Sequence, residues 1–296
     1  MGGKVQSYDS RQVMCRADYE IAHKRDTYLQ NVALHHHDFY EVYFLVSGDV
    51  NYVIEGRNYS VLPGNMMIVS PRELHQAHIE PDMAPYERYV LWIDPKLLER
   101  LSTESTDLTR CFDISSPGYS NLLYLSSGER SMVRSLMEEI LSETENTGYG
   151  AELMQSSMLT QLMILVNRIA AKGDARSDDM TYSSRVVTDV INYVNIHYGE
   201  QLSLDDLAER FFVNKYHLSH EFNRHVGTSV YRFIQKKRLQ IARQLLAQGQ
   251  KPKKVCSECG FSDYTCFYRA FRSEYGIAPR EFALSVNRPI QDGDTT

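Results

Sequence analysis

The chain has 296 residues, 43% of them hydrophobic and 24% charged, with five cysteines and a formal net charge of −6. That length suits about two domains of ~150 residues, and the composition excludes general disorder, a collagen-like repeat and a disulfide scaffold. No apolar run approaches the ~18 residues of a membrane helix, the polar opening MGGKVQSYDSRQ does not read as a secretory signal, and the odd cysteine count fits a reducing cytoplasm, so a cytoplasmic protein is expected. The charge is unevenly spread. Residues 1–181 hold 16 Lys+Arg against 26 Asp+Glu, and residues 182–282 hold 15 against 10. A sensor joined to an anion-binding module would show this, although ordinary surface variation would too.

In chain order, residues 39–93 read as strands. The stretch is rich in Val, Tyr, Ile and Phe and is punctuated at Ser47-Gly48, Glu55-Gly56 and Pro63-Gly64. Turn signals at roughly eight-residue spacing are the rhythm of an antiparallel sandwich or barrel. YERYVLWID adds a strand, ended by Asp94-Pro95. From Gly128 the period changes to three and four. Met132, Val133, Leu136, Met137, Ile140 and Leu141 form one amphipathic stripe. Leu153, Met154, Met158, Leu162, Leu165 and Ile169 form another, after a break at Asn146-Thr147-Gly148. This second stripe predicts a helix too apolar for its own barrel to cover, hence a homodimer through residues 128–171. Residues 172–181 lack periodicity and read as a linker.

The chain beyond is predicted helical to about residue 284. Ser184 is read as the cap of a helix carrying Val187, Val190, Ile191 and Val194. Ser203 with Asp206 reads as a capping box, while Asn214 and Ser229 read as further N-caps. Gly227, Gly249, Gly260 and Gly276 read as stops. One unit then occurs twice: a short helix, a tight turn, a second helix and a glycine. Leu218, Phe222 and Gly227 in the first copy match Phe267, Phe271 and Gly276 in the second. A plain helical bundle is one reading. A pair of helix-turn-helix motifs in a basic segment is the other, and it points to DNA.

These residues resemble the AraC/XylS family of bacterial transcription regulators. LSLDDLAERFFVNKYHLSHEFNRHVGTSVYRFIQKKRLQIARQLL is similar to the family's first motif and linker helix. VCSECGFSDYTCFYRAFRSEYGIAPREF is similar to its second, with Val255-Cys256 where an isoleucine-alanine pair is usual. The resemblance implies two recognition helices in successive major grooves, about 34 Å apart. The Ser229–Leu246 helix, roughly 27 Å long at 1.5 Å per residue, would set their separation. It also implies DNA contacts by Lys215, Tyr216, Ser219 and His220 in the first helix, and by Tyr264, Thr265, Cys266, Arg269 and Arg272 in the second. Arg269 is the foremost base reader, because its fork matches guanine. Lys215, Arg224, Arg232, Lys236, Lys237 and Arg272 read as phosphate clamps or as solvated surface cations.

LHHHDFYEVYFLVSG supplies His35, His37 and Glu41, and SPRELH supplies His75. Together they resemble the two motifs of cupins, with Leu29 and Glu73 at places where glycine is usual. The family's N-terminal domain is commonly such a small barrel. In a metal cupin the four side chains His35, His37, Glu41 and His75 hold a metal. In many of these regulators the pocket instead takes a small effector, often a sugar. His35, His37, Glu41, His75, Arg88 and Trp92 are therefore read as an effector pocket without resident metal or cofactor, with Tyr40 as a companion and Trp92 as a stacking face. Cys256, Cys259 and Cys266 are read as core, since a structural zinc needs a fourth ligand.

The expected architecture is α+β and multidomain. It comprises a cupin-like β-barrel (1–127), a helical dimerisation segment (128–171), a linker (172–181) and an all-α DNA-binding domain with two helix-turn-helix motifs (182–284). The expected function is a non-enzymatic, sequence-specific transcription regulator modulated by a sugar or related polar metabolite. Its expected partners are operator DNA, the effector, a second copy and RNA polymerase. Two other readings stay open: a cupin metalloenzyme (a dioxygenase or isomerase) with a helical appendage, and a DNA-binding protein whose barrel only assembles.

Overall fold

The computed structural model describes residues 12–27, 31–71, 73–79, 85–172 and 182–286. It divides into two compact units, Met1–Asp179 and Met180–Thr296. Leu29 and nearly all of the expected linker lie outside the described residues.

The first unit is built on two antiparallel sheets. Its strands are β1 (Tyr19–Asp26), β2 (Asn31–His35), β3 (Tyr40–Ser47), β4 (Val50–Ile54), β5 (Arg57–Val61), β6 (Met66–Val69), β7 (His75–Ile79), β8 (Tyr86–Ile93) and the short β9 (Leu122–Leu123). One sheet runs β1-β8-β3-β6-β9 and the other β2-β7-β4-β5. Among the described strands the two sheets do not join into one closed ladder, so the expected barrel is a sandwich of two sheets. Strand β3 explains the layering. By the period of two, Val42 and Phe44 point to one core, and Tyr43 and Leu45 to another. The first core is closed by two helices, α2 (Ser127–Glu143) and α3 (Ala151–Ala170), which follow a short α1 (Pro95–Leu101). The second lies between the sheets. Burial on both faces is why YEVYFLVS is almost continuously apolar rather than alternating.

Two expectations shift here. Leu162 and Ile169 of α3 are buried in this unit's own core, and Met158 and Leu165 pack against it. The sheet covers the middle of the stripe because α2 and α3 lie together on one face of it. Only its beginning, Leu153 and Met154, stays exposed. Tyr40 faces the helix-covered core, where its ring stacks on Phe112 at 4.2 Å, and so leaves the pocket.

The second unit is helical: α4 (Tyr182–His197), α5 (Leu204–Arg210), α6 (Lys215–Val226), α7 (Val230–Ala247), α8 (Pro252–Glu258), α9 (Tyr264–Tyr275) and α10 (Pro279–Val286). Helix α4 begins two residues before Ser184, which is therefore not its cap. The other caps form as expected. Ser203 and Asp206 make a reciprocal capping box, Asn214 accepts from the Tyr216 and His217 amides, and Ser229 accepts from that of Arg232. Asp263 caps α9 by accepting from Cys266 N. Gly227 and Gly276 end α6 and α9 in the left-handed conformation. The matched anchors Leu218, Phe222, Phe267 and Phe271 are all buried.

Candidate functional site

In the first unit, polar side chains converge between the two sheets. β2 supplies His35 and β7 supplies His75, directly paired in register. The connection from β2 to β3 supplies His37, and β3 supplies Glu41 opposite Trp92 of β8. His37, Glu41 and His75 each offer a ligand atom within 4.8 Å of the others. His35 stands beside them, its ring 4.2 Å from that of His75, but outside this set. The four side chains are thus neighbours, and three of them share one focus.

The ring orientations follow from the backbone. Nδ1 of His35 meets Ala33 O at 2.8 Å, that of His37 meets Phe39 O at 2.8 Å, and that of His75 meets Glu73 O at 3.0 Å. A carbonyl oxygen only accepts, so each Nδ1 carries the proton, and in the neutral ring Nε2 keeps a lone pair. The Nε2 atoms of His37 and His75 are buried without a hydrogen-bond partner. His37 Nε2 lies 3.5 Å from Glu41 Oε2, too far for a good hydrogen bond. Burial, with His35 and His37 beside it, pushes His75 well below the ordinary imidazole value, so it is neutral. Burial would raise the Glu41 carboxyl. His37, His35 and the Trp92 N–H, which donates to Oε2 at 2.8 Å, outweigh that and hold it below the usual range.

The cleft around this focus is lined by Lys24, Val32, Tyr43, Tyr52, Tyr86, Arg88 and Trp92, among others. Arg88 and Trp92 share a face of β8 with Val90, as period two requires. The guanidinium of Arg88 pairs with Asp26 and lies over the Tyr86 ring. Burial, then the charge of Arg88, lowers the pKa of Lys24. Trp92 is not a bare stacking face. Its ring packs on Phe39 at 4.8 Å, and Lys24 Nζ sits 5.5 Å from its centre. The cavity holds about 30 Å³, room for about two waters. The sequence reading missed Lys24 and Asp26, because β1 alternates weakly and carried no motif.

In the second unit, Tyr216 and His220 of α6 are exposed, Ser219 is half-buried, and Lys215 Nζ is held by Asp205 at 2.8 Å. Tyr264, Thr265, Cys266, Arg269 and Arg272 are exposed together on α9. Cys256 and Cys259 are core, as expected, but Cys266 is not. Lys237 is buried in α7 and cannot clamp a phosphate, because its position on the helix turns inward. Lys236 pairs with Glu274 at 2.6 Å. Arg224 pairs with Glu221 at 2.5 Å.

A β-sandwich holding a polar cleft and a basic helical unit with two capped, matching helix-turn-helix motifs are the parts of a DNA-binding protein with a ligand-binding domain. A family model for the AraC-like ligand binding domain matches residues 19–163, and one for a helix-turn-helix domain matches residues 207–284. The chain belongs to the AraC/XylS family of transcription regulators and is not an enzyme. It is 24% identical over 258 residues to the HTH-type transcriptional activator RhaS of Enterobacter sp. (strain 638), covering 87% of this chain and 89% of that one. It is 25% identical over 245 residues to the HTH-type transcriptional regulator YbfI of Bacillus subtilis (strain 168), covering 79% and 81%. Among solved structures, ToxT of Vibrio cholerae strain SCE256 aligns over 93% of this chain and 98% of its own, at 15% identity and a TM-score of 0.40. No helix among the described residues is long and apolar enough to cross a membrane.

Proposed function

We propose that this regulator senses a small polar metabolite, of the sugar class or a related hydroxylated or anionic compound, in the cleft lined by His35, Glu41, His75, Arg88 and Trp92, with His37 behind them. The observation that carries this reading is the convergence of imidazoles, a carboxylate, a guanidinium and an amine inside the matched ligand-binding region. With about 30 Å³ free, the cleft as it stands is too small for a sugar. A ligand must therefore favour an opened arrangement, and that differential affinity is what would change DNA binding. Arg269 reads a base. Lys215, Tyr216, Ser219, His220, Tyr264, Thr265, Cys266 and Arg272 line the duplex. A second copy pairs through α2 and α3 around the exposed Leu153 and Met154, and RNA polymerase is the protein partner at the promoter.

The test is a thermal-shift panel of sugars, polyols and hydroxy acids on the full chain, followed by operator titration with each hit, since a ligand of the native state raises its stability by mass action. A hit should change operator affinity, and Arg88→Ala should abolish that change while leaving ligand-free DNA binding intact. If a ligand binds and Arg88→Ala leaves the response untouched, the effector site lies elsewhere.

A further inference from the structure

We propose that Lys24 of β1 captures a carbonyl-bearing effector as a reversible imine, so that the ligand of the cleft is an aldehyde or ketone. The consequence at DNA rests on the sensor reading above, but the capture itself does not. Lys24 is a half-buried amine on the wall of the cleft, together with Glu41, Arg88 and Trp92. Two cations stand side by side there, because Lys24 pairs with Arg88 in the register of β1 and β8. They are partnered unequally. The Arg88 guanidinium takes Asp26, whereas Lys24 makes no ion pair among the described residues, and its Nζ lies 5.5 Å from the centre of the Trp92 ring.

A surface lysine is a poor nucleophile, because its amine is protonated at neutral pH. A lysine drawn out of water beside a second cation is the exception, since both effects favour the neutral amine with its lone pair. Both act here. Burial and then Arg88 lower the pKa of Lys24, outweighing the opposite pull of Glu41, Asp26 and Glu20. The step balances without a further reagent. The neutral Nζ attacks the carbonyl carbon, a C–N bond forms, and the carbonyl electron pair moves to oxygen. Both amine protons leave on that oxygen as water when the C=N bond closes, and Glu41 on the same wall is a carboxylate able to carry one of them. Hydrolysis reverses the step, so occupancy follows the effector's concentration. The cavity of about 30 Å³ favours a short hydroxyaldehyde or 2-oxo acid over a ring-form sugar. A lysine that only packs against Trp92 is the competing role.

The experiment incubates the full-length protein with glyceraldehyde or glyoxylate and sodium cyanoborohydride, which reduces an imine to a stable secondary amine, and locates the label by peptide mass spectrometry. Apart from the α-amino group, whose ordinary pKa is already low, Lys24 should be the first site labelled, ahead of exposed Lys251 and Lys253. Faster labelling by glyceraldehyde assigns a sugar aldehyde and faster labelling by glyoxylate a 2-oxo acid, and either bears the proposal out. Lys24→Arg, which keeps the charge but not the nucleophile, and Lys24→Met should each lose that label and leave the labelling of Lys251 and Lys253 unchanged. Wild-type label spread over the surface lysines, with Lys24 no faster than they are, overturns the proposal whatever the variants do. If Lys24 is not labelled but a polyol still shifts operator affinity through Arg88, the imine is lost and the sensor reading stands. If Lys24 is labelled selectively and no ligand alters DNA binding, the capture stands and the sensor reading is lost.

Discussion

Gly260 stands in the turn between α8 and α9 with φ of +73°. A Cβ there would lie 2.7 Å from Gly199 O and 2.9 Å from Tyr198 O. Both are backbone atoms just beyond α4, so neither can swing aside. Tyr198 O is fixed further by Arg238 Nε, which donates to it at 2.8 Å. Gly260→Ala therefore combines left-handed strain of about 1–2 kcal/mol with an overpacking cost of about 1–3 kcal/mol. The total is about 2–5 kcal/mol against the helical unit. The first motif offers the contrast. Phe212 occupies the same turn position with φ of +54° and is 95% exposed. Phe212→Gly relieves the same strain and loses no core contact, while Gly adds about 0.4–1 kcal/mol of unfolded-state entropy. It should be neutral or stabilising by up to about 1 kcal/mol. Urea unfolding followed at 222 nm reports mainly the helical unit, with a smaller share from α2 and α3, and Trp92, the single tryptophan, reports the sandwich unit as an internal control. With a slope of about 2 kcal/mol/M, Gly260→Ala should lower the helical midpoint by roughly 1–2.5 M and leave the tryptophan transition in place. A helical midpoint unchanged in Gly260→Ala would refute this account of the turn.

Arg269→Ala should cost about 1–3 kcal/mol in operator binding and relax preference at one base position, whereas Arg232→Ala should weaken all sequences alike and reduce the salt slope. Burial pushes the Glu73 carboxyl up to about 7, only partly offset by hydrogen bonds from Ser70 N, Asn121 and Tyr119. Its folded value lies above its unfolded one, so the stability it confers is present in full at low pH and is lost as pH rises toward 7. Between about pH 5 and 8 the sandwich should lose about 2–3 kcal/mol, and Glu73→Gln should flatten that slope in pH-dependent melts. Met154→Lys should shift the chain from dimer to monomer in sedimentation velocity. A wild-type monomer at micromolar concentration would remove the dimer altogether.

The helical half was the more legible. Helix caps and stops are local: Asn214, Ser229 and Gly227 act through bonds within four residues, so spacing alone reveals them. Ser184 misled because nothing local separates a capping serine from one inside a helix. The sandwich was legible where its strands are buried and closed by glycine turns, as at Val42–Ile68. It was opaque at β1, whose YEIAHKRD pairs along β8 through long-range register and shows no clean alternation. That is why Lys24 and Asp26 were missed while Arg88 and Trp92, on the apolar β8, were found. The fate of the α3 stripe was also non-local. Whether Leu162 faces a second copy or its own sheet depends on where α2 and β3 lie, which no periodicity states.

The two recognition helices share anchors but not charge. On α6, Glu221 is buried and gathers His220, Arg224 and His225 at 3.1, 2.5 and 3.5 Å. Burial would raise its carboxyl, but these neighbours hold it below the usual carboxylate range. The helix thus spends its own cations internally, and a phosphate would have to compete with a carboxylate already in place. On α9, Arg269 is exposed with no ion pair among the described residues, and the guanidinium of Arg272, exposed and likewise without an ion pair among them, donates to Tyr268 Oη at 3.4 Å. Electrostatic attraction to DNA should therefore fall mainly on α9, and α6 should contribute shape and the aromatic Tyr216. Glu221→Gln tests this asymmetry. It frees Arg224 and should strengthen binding to all sequences alike, with a steeper salt dependence by about one phosphate contact. Weaker binding in a variant that melts like the parent would mean that Glu221 positions α6 for DNA rather than restraining it.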